Sequence, residues 1–163
     1  MQGSVTAIVT IAEAAGAPTA QDQAELVAGQ GIVGDRYFLR VGTFSKQSIE
    51  PDQELTLVEA EYIDRFNAET GLAIAYGDIR RNIVTRSISL NDLIDVEFQV
   101  GEARVRGIRL CEPCAHLAQL LGHEMLKGLV HKAGLRARIL EGGTVRVNDK
   151  IAVPISTATA TQR

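Results

Sequence analysis

Tryptophan is absent and aromatic residues make up only 4% of the 163-residue chain, so any core has to be built from Val, Ile, Leu and Ala. Cysteine occurs twice, at Cys111 and Cys114. That is too few for a disulfide framework and fits a reducing compartment, where a disulfide would be transient or catalytic. Excess basic charge is missing as well. Against 17 Lys and Arg stand 20 Asp and Glu, a net charge of −3, which gives no general positive field for nucleic acid. The apolar stretch near the N-terminus, Val5 to Ile11, is broken by Glu13, well short of the ~20 residues that span a bilayer. No basic leader precedes it. The expected location is the cytoplasm, with neither nucleic acid nor a membrane as partner.

What is present reads as one globular domain. Hydrophobic residues account for 45% and charged residues for 23%, and a chain of this length buries ~70% of its unfolded surface on folding. Residues Val5–Ile11, Glu25–Val27 and Leu55–Val58 read as short strands. Glu59–Thr70 reads as the clearest helix, with Tyr62, Ile63 and Phe66 on one face and Gly71 at its C-terminal end. Val96, Phe98 and Val100 alternate at period two into a Gly101-Glu102 turn. The chain then returns through Ala103, Val105 and Leu110 with arginines between them, the pattern of an antiparallel hairpin with one core face and one cationic face. Cys114–Leu121 and Glu124–Val130 read as two short helices broken at Gly122, and Leu135–Leu140 with Thr144–Val147 as a final hairpin. Many short strands, few helices and no regular strand–helix alternation point to a mixed, mostly antiparallel β-barrel.

Gly29-Gln-Gly-Ile-Val-Gly34 formally matches the dinucleotide fingerprint, with Asp52 at about the right distance beyond it. The fingerprint must open a helix inside a strand–helix–strand unit. The residues that follow, Asp35 to Phe44, alternate without a helical stripe. A glycine-kinked loop between strands is the expectation. Lys46–Gln53 is polar and interrupted by Pro51, a loop of the kind that lies over a site.

The segment Gly107-Ile-Arg-Leu-Cys-Glu-Pro-Cys-Ala-His116 holds both cysteines and places Cys114 just after a proline that can open a helix. A thiol in the first turn, beside unsatisfied N–H groups and the positive end of the helix dipole, is favoured as thiolate. The thiolate is the nucleophilic and metal-binding form. Cys-x-x-Cys spacing also fits a redox pair, but the strand–helix pattern around it is not thioredoxin-like. Zinc would need His116 and His123, whose spacing lies outside the customary range and leaves no second close ligand pair. Haem attachment fails because Ala115 displaces the histidine. The bland alternative, two inert buried cysteines, stays open, and His116, His123 and His131 read as structural.

Arg36, Arg80, Arg81, Arg109 and Arg136 come from segments that a barrel could gather at one mouth. Guanidinium forks there suit phosphate, pterin or carboxylate. Gly29, Gly31 and Gly34 would let backbone N–H groups approach the same anion.

Taken in order, Gly31-Ile-Val-Gly-Asp-Arg36, Arg81-Asn-Ile83, Leu90-Asn-Asp-Leu93, Val100-Gly-Glu102 and Leu110-Cys-Glu-Pro-Cys114 resemble the successive landmarks of the MOSC domain, the C-terminal domain of molybdenum cofactor sulfurases that also occurs as small stand-alone proteins. The resemblance covers about Val5 to Val153. It implies a single MOSC domain over residues 1–155, a β-barrel with a few short helices, and a flexible tail at 156–163. It also implies binding of molybdopterin, an anionic pterin cofactor, with Cys114 at the family's key Pro-Cys position; Gly34, Asp35, Arg36, Arg80, Arg81, Asn82, Arg109 and Arg136 are the residues expected to hold that cofactor. In enzymes of the family that cysteine is a thiolate ligand of molybdenum and N-hydroxylated compounds are reduced, which requires an electron-donor protein. In sulfurases the domain is thought to pass sulfur through a persulfide, which requires a cysteine desulfurase. A non-catalytic binding domain is the third alternative. Two positions depart from the family: Tyr37 stands where His is common, and Arg81 where Glu is common before Asn-Ile. The Lys46–Gln53 loop also diverges.

Overall fold

The computed structural model describes residues 1–41, 50–122 and 127–155, the side chains of His116 and Leu120 excepted. Its strands in chain order are β1 (Gln2–Thr10), β2 (Thr19–Gln21), β3 (Gln23–Val27), β4 (Gly31–Ile32), β5 (Leu55–Glu59), β6 (Ile83–Arg86), β7 (Glu97–Val100), β8 (Ala103–Leu110), β9 (Leu135–Glu141), β10 (Gly143–Arg146) and β11 (Lys150–Ala152). Three helices are described: α1 (Arg36–Leu39), α2 (Ala60–Thr70) and α3 (Ala115–Leu121).

Seven strands close into a barrel in the order β1-β6-β5-β9-β8-β7-β11, with β11 pairing back onto β1. Closure removes the exposed strand edges that an open sheet would carry. Every neighbouring pair in the ring is antiparallel except β5 and β6. Parallel strands need a crossover, and α2 lies within it. Inward positions alternate along the strands, as in β8, where Ala103, Val105 and Gly107 are buried. The interior is aliphatic as the composition requires: Val5, Ile8, Leu55, Leu57, Ile83, Leu135 and Ile151 pack there, with Phe98 as the one aromatic ring of this cluster. A second apolar cluster covers the outside of the parallel pair. Ile63 and Phe66 of α2 meet Val58, Ile79, Val84, Leu117 and Leu129.

The strand expectations at Val5–Ile11 and Leu55–Val58 hold within the boundaries that assignments allow. The hairpin through Gly101 forms as β7 and β8, with Phe98 opposite Val105. α2 ends at Gly71 in the left-handed conformation (φ 73°). Other expectations are corrected. Asp35 to Phe44 does not begin as an alternating stretch: α1 forms there because the Asp35 side chain accepts from the Tyr37 N–H and caps it.

The final hairpin is also replaced. β9 pairs with β8 and β5, whereas β10 leaves the barrel and pairs with β3 in a small sheet of order β10-β3-β4. Gly142 and Gly143 allow that departure, since a Cβ on Gly142 would lie 2.4 Å from the Leu26 carbonyl oxygen. Nor is the outer face of β7–β8 plainly cationic. Arg104 pairs with Glu97 and Glu141, and Arg106 with Asp95. Part of the Lys46–Gln53 loop, part of the Glu124–Val130 segment and the 156–163 tail lie outside the described residues.

Candidate functional site

The Gly-Asp-Arg and Arg-Asn-Ile segments meet at one end of the barrel. Asp35 is 1% exposed, and its Oδ1 accepts from the Ile11 N–H at 3.0 Å and from Asn82 Nδ2 at 3.2 Å. Asn82, equally buried, donates also to the Val9 carbonyl, and its Oδ1 accepts from the Thr56 N–H and hydroxyl. Every polar atom of the Asn82 amide group is therefore engaged by protein. Both residues were expected at the cofactor; the structure gives them the work of tying β1, β5 and β6 together.

The arginines sort by what their forks touch. Arg36 lies over the Tyr37 ring with its guanidinium carbon 4.4 Å from the centroid. Its two polar contacts, with Asp35 at 3.4 Å and the Arg80 carbonyl at 3.5 Å, are long. Arg80, in the left-handed conformation (φ 64°), donates to the Gly16 carbonyl at 2.6 Å. Burial, and after it the neighbouring Arg36, hold the Arg80 guanidinium below its ordinary value.

Arg136 stands beside Cys111, Tyr37 and Asp52. Burial pulls its guanidinium down, and those three neighbours together move it up, for a net rise. It donates from Nη1 to the Asp52 carbonyl at 3.2 Å, while its buried Nε has no partner among the described residues. Arg109 is exposed and donates from Nε to Asp52 Oδ2 at 2.7 Å. Arg81 spreads its fork most widely: its hydrogen bonds among the described residues go to four backbone carbonyls, of Ala133, Ile79, Cys111 and Glu112.

The glycines do not form the expected common cradle. The Gly29 N–H donates to the buried Glu54 carboxylate at 2.7 Å. Gly34 lines an open groove of about 330 Å³ with Thr10, Gln21, Gln23, Glu25 and Val33.

The two cysteines occupy different surroundings. Cys111 is 2% exposed, adjoins Arg136, and its N–H donates to the Gly134 carbonyl at 2.8 Å. Cys114 is half-buried and rests against the second apolar cluster. It is the N-cap of α3 and not a first-turn residue, and its side chain makes no capping bond. Among the described residues no three His, Cys, Asp or Glu side chains converge on a point that could hold a metal ion. The His123 of the zinc alternative lies outside those residues, as does the His116 side chain.

Sequence reading missed three participants. Asp52 drew notice only as part of the rejected fingerprint, yet it faces both Arg109 and Arg136 across 57 and 84 positions of sequence. Glu112 reaches the His131 turn, accepting from its N–H at 3.0 Å and contacting Nδ1 at 3.0 Å. Tyr37 registered as a departure from the family and not as a neighbour of Arg136. No local signal marks such long-range partners.

A closed, mainly antiparallel barrel with an arginine-rich end and an adjacent cysteine loop defines the class. Residues 44–152 match the MOSC domain, and the chain belongs to the MOSC domain family. The YUAD protein from Bacillus subtilis superposes with a TM-score of 0.78 at 14% identity, covering 93% of this chain and 94% of that one. YiiM from Escherichia coli gives 0.66 at 18% identity over 94% of this chain and 70% of that one. YiiM from Geobacillus stearothermophilus gives 0.59 at 18% over 68% and 58%. At such identities these structures establish the fold alone. No match was found among curated protein sequences. No helix of the described residues is long and apolar enough to cross a membrane.

Proposed function

We propose that this chain binds the pterin-based molybdenum cofactor at the arginine-rich end of its barrel, with the Cys114 sulfur directed to the metal, and reduces small N-hydroxylated compounds. The observation that carries the reading is an excess of positive charge, most of it buried or half-buried. Arg36, Arg80, Arg81 and Arg136, with the exposed Arg109 at the edge, share one neighbourhood with Asp35 and Asp52. Uncompensated cations in a poorly solvated site are costly unless an anion joins them. The unpartnered Arg136 Nε and the long contacts of Arg36 leave donors for that anion.

Among the residues present, Arg36, Arg80, Arg109 and Arg136 fit the phosphate and pterin of such a cofactor, and Cys114 fits a soft metal. When bound, the cofactor would supply two-electron redox chemistry at the metal. The chain's own part is to orient it, to hold the thiol close and to balance its charge. Cleavage of the N–O bond consumes two electrons, drawn from an external electron-donor protein, and two protons; it releases water and the N–H product.

Metal and pterin analysis of protein from molybdate-replete cells, wild type beside Cys114→Ser, tests this. Stoichiometric molybdenum in the wild type and its loss in the variant are expected. Wild-type protein that holds no molybdenum or pterin and cannot be loaded defeats the proposal.

A second reading is a sulfur carrier with a persulfide on Cys114. The apolar wall beside Cys114 favours it, because a terminal sulfur there is shielded from water. Incubation with a cysteine desulfurase should then add one labile sulfur to Cys114 by mass; an accessible Cys114 that gains none excludes it. A non-catalytic domain with both cysteines inert predicts no rapid thiol modification of Cys114 near neutral pH.

A further inference from the structure

We infer that Arg81 is a positioning residue for Cys114, acting through the peptide plane that precedes Pro113, and that it does not serve as a ligand for the anion. The inference rests on the reading of Cys114 as the reactive thiol.

Arg81 is 8% exposed and precedes β6. Its Nε donates to the Ala133 carbonyl at 2.8 Å, its Nη1 to its near neighbour Ile79 at 3.3 Å, and its Nη2 to the Cys111 and Glu112 carbonyls at 3.4 and 3.5 Å. One rigid fork thus joins the chain before β6, the approach to β9 and the cysteine loop. A planar guanidinium can hold several acceptors at fixed relative positions in a way that a point-charge ammonium cannot.

The consequence for Cys114 follows from backbone geometry. The Glu112 carbonyl belongs to the planar peptide unit shared with Pro113. The Arg81 Nη2 contact on that carbonyl, at 3.5 Å, is as long as those of Arg36, but the fork that makes it is fixed by the 2.8 Å bond to Ala133, so it restrains the plane, and the proline ring fixes the next φ. One soft dihedral, the ψ of Pro113, then remains before the Cα of Cys114. The far side is held as well, since the Cys114 carbonyl accepts from the Ala118 N–H at 3.0 Å at the start of α3. Glu112 adds a third tether through its two contacts with His131. Cys114 therefore sits at a nearly determined position although its own side chain makes no capping bond.

The test follows alkylation of Cys114 by iodoacetamide across pH in the cofactor-free full chain, with Cys111 as internal reference, in wild type, Arg81→Met, Arg81→Lys and Val145→Ala. Val145 lies in β10 of the small sheet and is fully buried, so its truncation loosens the fold without touching the cysteine loop. In the wild type Cys114 reacts and Cys111 is spared.

In Arg81→Met the Cys114 alkylation rate is expected to change by about tenfold, because a displaced Cys114 alters the surroundings and exposure on which thiol reactivity depends. Arg81→Lys, which can reach only part of the carbonyl set, should recover part of that change, and Val145→Ala should show none. A wild-type Cys114 rate and pH profile in Arg81→Met overturns the inference, whatever happens to its melting temperature. So does an equal change in Val145→Ala, which would mean that general loosening is the cause. If Arg81→Met does not fold, a Cys114 rate and pH profile in Arg81→Lys identical to the wild type overturns it. Because no cofactor takes part, a wild type that never binds molybdenum would defeat the proposed function and leave this result standing.

Discussion

Oδ1 of Asp35 accepts a hydrogen bond from Nδ2 of Asn82 at 3.2 Å, across 47 positions of sequence. Two segments read as cofactor landmarks are thereby bound first to each other. The Asp35 carboxylate also caps α1 and receives the Ile11 N–H, and the Asn82 amide spans from Val9 to Thr56. Such a network is costly to break because each lost partner strands a buried polar group.

Asn82→Ala leaves the Thr56 N–H, the Val9 carbonyl and the Asp35 carboxylate short of a partner. The unfolding free energy should fall by about 2–4 kcal/mol, read from urea denaturation. A variant as stable as the wild type that has lost only cofactor would return Asn82 to the role of ligand.

Glu59 stands at the N-cap position of α2 without a side-chain capping bond, and its carboxylate receives the Leu90 N–H at 3.4 Å. Burial pushes its carboxyl from 4.5 up to about 7; the Leu90 bond opposes the rise and the nearby Glu61 and Asp92 add to it. A folded value above the unfolded one means that the native state holds the proton more tightly. This contribution to stability is complete below pH about 4.5 and is lost as pH rises towards about 7. Glu59→Gln should flatten that part of the stability profile and exceed the wild type by roughly 1–2 kcal/mol at pH 8. Parallel profiles for the two proteins would refute the assignment.

Gly134 has φ +122°, and a Cβ there would lie 2.1 Å from the Leu57 carbonyl oxygen. Its own carbonyl holds the Cys111 N–H. Gly134→Ala therefore combines strain with a clash and should cost about 3 kcal/mol or more, seen as a lowered urea midpoint. Normal stability in that variant would show that the β9 approach can shift.

The Arg109–Asp52 pair is exposed on the arginine side, and exposed pairs contribute about 0–1 kcal/mol. Arg109→Ala should leave stability nearly unchanged while weakening retention of the anionic cofactor, more so at higher salt. Equal cofactor content in both proteins across a salt series would remove Arg109 from the site.

Cys111→Ser places a hydroxyl in a 2% exposed position beside Arg136. It should cost about 1–2 kcal/mol, measured by urea denaturation, yet keep molybdenum, whereas Cys114→Ser should lose it. Equal loss of metal from both variants would mean that the two thiols act together.

Local pattern was enough to read α2 with its glycine stop, the hairpin of β7 and β8, and the barrel class. Each depends on periodicity or turn chemistry within a dozen residues. Local pattern misjudged α1, where one capping carboxylate outweighed an alternating stretch. It also misjudged β10, whose partner is a strand more than a hundred residues earlier. The candidate site was legible as a set of residue types but not as a division of labour. Arg36, Arg80, Arg81, Arg109 and Arg136 look alike in sequence, and only their neighbours separate them.

The sequence by itself determined an aliphatic core, the absence of a disulfide framework, the MOSC landmarks in their order, and a cysteine placed behind a proline at a helix start. These follow from composition and from bonds between near neighbours. Tertiary structure alone decided that Asp35 and Asn82 are joined inside the fold, that Asp52 serves two arginines, and that Arg81 grips the backbone ahead of Cys114. A buried donor takes whatever acceptor closure of the barrel brings within reach, and that choice is made across dozens of residues by packing, beyond the range of any local pattern.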